Sequence, residues 1–246
     1  RRLAVGLDAD RKQPNLVAMS LTQLLDELRS PERWTRQQAQ RRLFNAPKAA
    51  VLATADKWLA KLDRNDAQSG RLLIDLLGVY AAHEVIRPDV VEKLLNSPDA
   101  RVRAVGTRML AHWADRLPDP LARLRERIAD EHPRVRLAVV ACSHVRSPQA
   151  VEVAMRALDL PHDRFLDYAL TQCVHALKPQ WQPALASGQL TFDGKASHLT
   201  FVLQADGTKD IAGALRSLAD SSQLDPGARG NLLALLADVG EADDVR

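Results

Sequence analysis

Two Cys-x-His pairs stand 31 residues apart, Cys142-Ser143-His144 and Cys173-Val174-His175. Thiolate and imidazole are common ligands of zinc, so the pattern raises a metal site. Helical geometry argues against one. Residues i and i+2 of a helix point about 200° apart, so the cysteine and the histidine of each pair face opposite sides. The pairs are read as small core residues at equivalent places of adjacent repeats, and no metal ligand is assigned. A disulfide would need Cα atoms within about 7 Å, whereas neighbouring helix axes lie about 8–10 Å apart. Asp159, Asp163 and Asp167 crowd one helix start, where carboxylates favour the dipole; a catalytic carboxylate pair there is the weaker reading. His83, His112, His132, His162 and His198 are scattered. No His-Glu-x-x-His, Gly-x-Ser-x-Gly, phosphate loop or Gly-x-Gly-x-x-Gly occurs. No residue of the segment is assigned to catalysis or to a cofactor.

The arginines carry the more regular signal. The triplet Arg-Val-Arg occurs at 101–103 and again at 134–136, an offset of 33 residues. Arg36 precedes Arg103 by 67 residues, two such periods. A fixed period of this size marks a solenoid of stacked supersecondary units. Matching positions then form a ladder along one edge. Arg103 and Arg136 are expected to bridge to carboxylates or carbonyls of a neighbouring repeat, with Asp99 and Asp130 as candidate partners, and Arg36 is a candidate for the same ladder or for an interaction surface. Arg101 and Arg134 are expected nearer to solvent. A basic stripe for nucleic acid is the competing reading. Interleaved Glu126, Asp130 and Glu131, and the absence of aromatics alternating with the arginines, disfavour it.

The elements that must position these residues are helices. Hydrophobic residues make up 46% of the 246 residues and aromatics only 4%, so the apolar content is mostly Leu, Ala and Val. That favours close-packed helices over strands. Helices are expected at 20–29 and 31–44, 47–62 and 67–82, 88–96 and 98–116, 120–130 and 133–145, and 148–158 and 162–177. Leu21, Leu24, Leu25 and Leu28 form one stripe, and Trp34, Ala39 and Leu43 the next. Trp34, Trp58, Trp113 and Trp181 are assigned to core or inter-repeat packing. Ser/Asp-Pro recurs at Ser30-Pro31, Ser97-Pro98, Asp119-Pro120, Ser147-Pro148 and Asp225-Pro226, each read as a cap followed by proline at the first helical position. On this reading no proline lies inside a helix.

The texture changes at both ends. Residues 1–19 read as a linker or the end of a preceding domain, with Leu3–Leu7 as the end of a strand. Residues 20–177 read as regular repeats. Residues 178–246 read as an irregular continuation, with a short helix at Trp181–Gly188, an insertion near 188–195 that could hold an extended piece, and helices near 196–205, 209–221 and 226–238. Seven of the eleven glycines fall from Gly188 onward. The chain opens on Arg1-Arg2 without Met, and its last residues start a new helix, so a piece of a longer protein is expected. The 34 basic and 31 acidic residues are spread along the chain, giving a net charge of +3 and a solvated surface rather than a polybasic tail. No run of 18 apolar residues exists, so no membrane span is expected.

Leu94-Leu95-x-Ser97-Pro98-Asp99-x-Arg101-Val102-Arg103 resembles the HEAT-type helical repeat, as does Ile128-Ala129-Asp130-x-His132-Pro133-Arg134-Val135-Arg136-x-Ala138. The resemblance covers nearly all of 20–177. It implies an all-α, right-handed α-α superhelix of the HEAT/ARM-like solenoid type, with about six to seven helical pairs. A narrower resemblance rests on Ser30-Pro31-Glu32-Arg33-Trp34, on His132-Pro133-Arg134-Val135-Arg136-Leu137, on Asp163-Arg164-Phe165-Leu166-Asp167-Tyr168-Ala169-Leu170 and on Ala176-Leu177-Lys178-Pro179-x-Trp181. These look like the helical segment of large secreted dehydrogenase/c-type cytochrome proteins of planctomycetes. In that family a propeller similar to glucose/sorbosone dehydrogenases precedes the repeats and a c-type cytochrome domain follows. The chain departs from it in having no Cys-x-x-Cys-His, so haem would belong only to a downstream domain, and any oxidoreductase activity to the parent.

The expected function is a non-catalytic scaffold whose partners are proteins or neighbouring domains of its own chain, with a periplasmic or secreted location if the narrower resemblance holds. The runner-up is a nucleic-acid-binding repeat protein of the DNA glycosylase type. A third reading, a lyase acting on a tetrapyrrole, has only the shared repeat type behind it.

Overall fold

The structure, a computed structural model, describes residues 14–63, 68–208, 211–220 and 226–239. The strand expected at Leu3–Leu7 and the cap expected at Asp225 lie outside the described residues. Among the described residues there are helices, 3₁₀ turns and loops, and no strand. The chain is an all-α solenoid, and it divides into two compact units, residues 1–90 and 91–246.

In the first unit, α1 (Leu21–Asp26) runs into a 3₁₀ turn at Glu27–Arg29 and is followed by α2 (Arg33–Phe44), α3 (Lys48–Ala60) and α4 (Ser69–Ala82). Helices α1 and α3 form one layer and α2 and α4 the other. The core between them is Leu25, Leu28, Leu43, Val51, Leu72 and Leu76, all fully buried. On α2 the buried stripe is Thr35, Ala39 and Leu43. Trp34, one residue and about 100° earlier on the helix, is therefore turned half out to solvent, a correction to its assignment as a packing residue. Trp58, Trp113 and Trp181 are buried. The indole of Trp58 donates to Asp26 Oδ1 at 2.9 Å, and that of Trp181 to the carbonyl of Val174 at 2.9 Å.

Helix α5 (Pro88–Leu95) leads into the second unit, which holds α6 (Ala100–His112), α7 (Pro120–Ile128), α8 (Pro133–Arg136), α9 (Ala138–Cys142), α10 (Gln149–Met155), α11 (Arg164–Ala176), α12 (Lys178–Ala186), α13 (Ala196–Ala205), α14 (Ile211–Ala219) and α15 (Pro226–Val239). Helices α7 and α10 pack side by side as the first layer. Helices α6, α8–α9 and α11 pack in that order as the second, and α13 continues it. The helix expected over 133–145 is broken at Leu137. There an i+3 bond from Val140 N–H to the Leu137 carbonyl tightens the chain, and both side chains come out to the surface.

Capping differs from the Ser/Asp-Pro reading. Among the described residues only Asp119 caps as expected, accepting from Ala122 N–H at 3.1 Å with Pro120 in the first turn. After Ser97-Pro98 it is Asp99 that caps, accepting from Arg101 N–H at 2.8 Å. Ser147 is also not a cap, because Pro148 stands at that place. Asp99, extended and one residue past the proline, is the side chain placed to reach the open N–H groups of α6. Ser20, with Gln23 in a reciprocal box, His132 and Asp163 supply further caps. Pro183 lies inside α12, contrary to the reading that no proline does; buried Trp181, Ala184 and Leu185 hold that helix in place by packing.

The stretch expected as an insertion near 188–195 is held by one face of α10 and its 3₁₀ extension, Arg156–Asp159. Glu152 Oε1 accepts from both Thr191 N–H and Phe192 N–H at 2.7 Å. Arg156 pairs with Asp193 at 2.7 Å, and Asp159 with Lys195 and with His198 Nε2, the latter at 3.0 Å. Phe192 is buried at a φ of 49° and Asp193 follows at 54°, both left-handed. These bonds, together with the burial of the ring, hold a conformation that non-glycine residues otherwise avoid.

Candidate interaction surface

Three of the five arginines singled out by spacing share one geometry. Arg36 Nη1 donates to the carbonyls of Ser30 and Pro31, both at 2.9 Å. Arg103 Nη1 donates to those of Ser97 and Pro98, both at 3.1 Å. Arg136 Nη1 donates to those of Asp130 and Glu131, at 3.1 and 2.9 Å. Each arginine sits in the first turn of a second-layer helix and folds back on the carbonyls six and five residues before it. Turn carbonyls between two helices have no helical partner, and a guanidinium fork fits two of them at once.

The rest of each fork reaches forward. Arg103 Nε and Nη2 clasp Asp130 at 2.8 and 2.9 Å, with the two side chains only 10% and 7% exposed. Burial pushes the Asp130 carboxyl up, but the bonds from Arg103 and His132 N–H and the charges of Arg103 and Arg127 outweigh it, and it lies below the usual carboxylate range. At the next rung the pattern changes. Arg136 Nη2 takes the carbonyl of Pro161 at 2.7 Å, and its buried Nε has no partner among the described residues. Asp99, named as a ladder partner, instead grips Arg101 through both carboxylate oxygens. Its carboxyl is held low by that side chain.

With Arg36, Arg103 and Arg136 turned inward, the outer face of the second layer is set by other residues. Arg101 and Arg134 are exposed. A groove of about 760 Å³ runs between α6 and α8–α9. Ala104, Ala111, Ala138 and Ala141 are among its lining residues, with Leu137 and Val140 beside them and Arg108 and Arg134 at its margins. A second groove of about 560 Å³ shares Arg134 and Leu137 and adds Arg136, Pro161, His162 and Phe165. Leu137 and Val140 are 40% and 49% exposed, and Phe165 and Tyr168 on α11 are 62% and 68% exposed. Among the described residues the guanidinium groups of Arg108 and Arg134 have no partner, whereas the acids near this face are engaged. Asp99 holds Arg101, Asp163 caps α11 at Phe165 N–H and Leu166 N–H, and Asp167 lies 3.4 Å from His162.

Arg108, Leu137, Val140 and Tyr168 were not singled out by sequence spacing. The available signal was apolar residues one position off the core stripe: Val140 beside buried Val139, and Phe165 beside buried Leu166. Cys142 and Cys173 are both free and buried. Burial pushes the Cys142 thiol well up, with the neighbouring Cys173 adding to it, and pushes Cys173 to about 12. Asp159, Asp163 and Asp167 each serve a different partner and do not converge. Among the described residues no group of three metal-ligating side chains comes together. No helix among them is long and apolar enough to cross a membrane.

Residues 88–174, the segment that holds the Arg103–Asp130 clasp and both grooves, match the family model for HEAT repeats. No curated protein matches the chain. Among solved structures, the crystal structure of an engineered protein is 19% identical, with a TM-score of 0.41, covering 90% of this chain and 97% of that one, a likeness too distant to carry argument.

Proposed function

We propose that this chain is a protein-interaction scaffold that works through the outer face of α6, α8–α9 and α11. The observation that carries it is the row of Leu137, Val140, Phe165 and Tyr168, all well exposed on a second layer whose inner faces are packed. Large apolar side chains gathered on one face and flanked by charge mark an interaction site. Inward-turned Arg103 and Arg136 keep the layers in register and leave that face rigid.

The partner is taken to be a neighbouring domain of the same natural chain. Support comes from the sequence likeness of several segments to the repeats of secreted dehydrogenase/cytochrome proteins. The scaffold would then hold a propeller and a downstream haem domain in fixed relation, with redox chemistry confined to those domains and the protein periplasmic or secreted. Nucleic acid is the lesser reading, because the acids that interleave with the arginines would repel a phosphate backbone.

Photo-crosslinking tests the scaffold. A photoreactive residue at Val140 or Tyr168 of the natural protein, in its own cells, is expected to give protein adducts that one at Glu126, on α7, does not. Adducts to nucleic acid, or equal adducts from all three positions, would overturn it. An intact mass well above 27.2 kDa with a haem absorption band would support the same-chain partner, and a chain of this mass without a chromophore would remove it.

A further inference from the structure

The scaffold reading leaves the partner's chemistry open, and the charge inventory of the face narrows it. On α6 the two outward arginines differ. Arg101 is already neutralised by a two-oxygen clasp from Asp99, and Arg108, two turns on, is not. On α8, Arg134 stands in both grooves, its guanidinium free of ion pairs and of hydrogen bonds among the described residues. The next rung of the arginine ladder is also short of a carboxylate. Where Arg103 has Asp130 on Nε and Nη2, Arg136 has one carbonyl and an unpartnered, buried Nε. A buried guanidinium N–H left without an acceptor is costly, and a carboxylate is its best partner. Between these cations the surface is mainly apolar: alanines, then Leu137 and Val140, then Phe165, with His112 and His144 also lining the larger groove.

We infer that the two grooves receive an acidic, amphipathic peptide segment of the partner, its carboxylates on Arg108 and Arg134 and its apolar side chains on Leu137, Val140 and Phe165. Charge complementarity selects this occupant. The unsatisfied groups on the face are cationic, and its acids are taken up by Arg101, by His162 and by the start of α11. The alanines leave room for side chains to lie against the helices, and the arginines stand at the edges, where rim charges fix register and steer encounter. An oligonucleotide would need a longer run of unpaired cations than these two and would meet Asp99 and Asp167 along the way.

This inference rests on the scaffold reading, and its test keeps the two apart. The full chain is titrated with a fluorescein-labelled helical peptide bearing leucines along one stripe and glutamates beside it. The same peptide with every glutamate changed to glutamine, a lysine version and single- and double-stranded oligonucleotides complete the set. The acidic peptide is expected to bind about tenfold tighter than the glutamine version at low salt, with the gap closing as salt rises. Arg108→Glu with Arg134→Glu is expected to transfer the preference to the lysine peptide, and Arg101→Ala to change affinity less than about twofold. Both reversed positions are exposed, and an unchanged circular dichroism spectrum confirms that the variant folds; Arg108→Gln with Arg134→Gln is the milder second variant. Equal affinity for acidic and glutamine peptides, no effect of the double variants, or tighter binding of an oligonucleotide each overturns the inference. If crosslinks form from Tyr168 and yet the acidic peptide has no advantage, the scaffold stands and the acidic-segment assignment falls.

Discussion

Arg103 and Asp130 form a two-point clasp, 2.8 Å at Nε and 2.9 Å at Nη2, that ties the first turn of α6 to the loop between α7 and α8. Both side chains are about nine-tenths buried, so the pair lies where removing one partner strands a charge.

Asp130→Ala is therefore expected to lower unfolding free energy by about 3 kcal/mol, whereas Arg103→Met with Asp130→Leu is expected to lose less, because the stranded guanidinium goes too. Urea titration of the full chain measures both. A loss in the Arg103→Met, Asp130→Leu variant equal to the sum of the losses of Arg103→Met alone and Asp130→Leu alone would show that the clasp has no coupling energy.

The pH dependence follows from the same carboxylate. Asp130 lies below its ordinary range in the folded chain, as does Asp159, where bonds from Lys195 and His198 outweigh burial. A depressed folded value means that the unfolded chain binds the proton more readily. The two groups then contribute stability above about pH 4, the ordinary carboxylate value, and that contribution is lost as pH falls through their folded values. In Asp130→Asn the acid-side fall in stability should be shallower than in the parent chain. An identical slope between about pH 5 and about pH 2, read by urea titration at each pH, would count against this role.

Two helical glycines should respond oppositely to alanine. A Cβ on Gly106 would meet Leu94 Cβ at 3.0 Å and the backbone nitrogen of Leu95 at 3.1 Å. Backbone cannot step aside, so Gly106→Ala is expected to destabilise by about 1–3 kcal/mol despite its better helix propensity. A Cβ on Gly78 would have only the ends of the Gln40 and Phe44 side chains near it, both at 3.9 Å. Gly78→Ala is expected to stabilise by about 0.5–1 kcal/mol. Thermal unfolding of the two variants side by side decides, and shifts of one sign would contradict the packing given for α6.

Glu152→Ala removes the acceptor of two backbone N–H groups and leaves Thr191 and Phe192 without it. A loss of about 1–3 kcal/mol is expected, with faster amide exchange confined to residues near 191–195. Exchange that rises evenly over the second unit would mean that the carboxylate is not a local tie.

The thiols of Cys142 and Cys173 are buried and pushed up, so a disulfide reagent should modify neither until the chain unfolds. Rapid labelling of the native chain would place one of them at the surface.

How much of this was legible beforehand depends on whether a residue acts with its sequence neighbours. Helix positions were readable because apolar spacing reports a buried stripe directly, as at Leu72, Leu76 and Tyr80. The offset of 33 residues singled out Arg103 and Arg136 as a pair. Their partners were not readable, since Asp99 stands two residues before Arg101 and Asp130 four before Arg134, off the common period, and only geometry turns the first to Arg101 and the second to Arg103. Leu137 was hidden for a similar reason. A continuous helix would have set its stripe by period, and the i+3 step there breaks the period. Arg108 carries no motif at all, and it stands out only once its neighbours are seen to be paired and it is not.

The stretch 189–195 draws its polar ties backward along the chain. Glu152, Arg156 and Asp159 all precede it, on one helical face, while Phe192 supplies the ring. As the polypeptide leaves the ribosome, these three side chains emerge first and wait in water, where their charges are well solvated. The ring arrives some forty residues later, and the turn that carries it packs against α13 and α15 as well as α10. Assembly there has a direction: the acceptor and the charges on α10 stand ready when residues 191–195 emerge, and the packing around the ring is completed only as α13 and α15 follow.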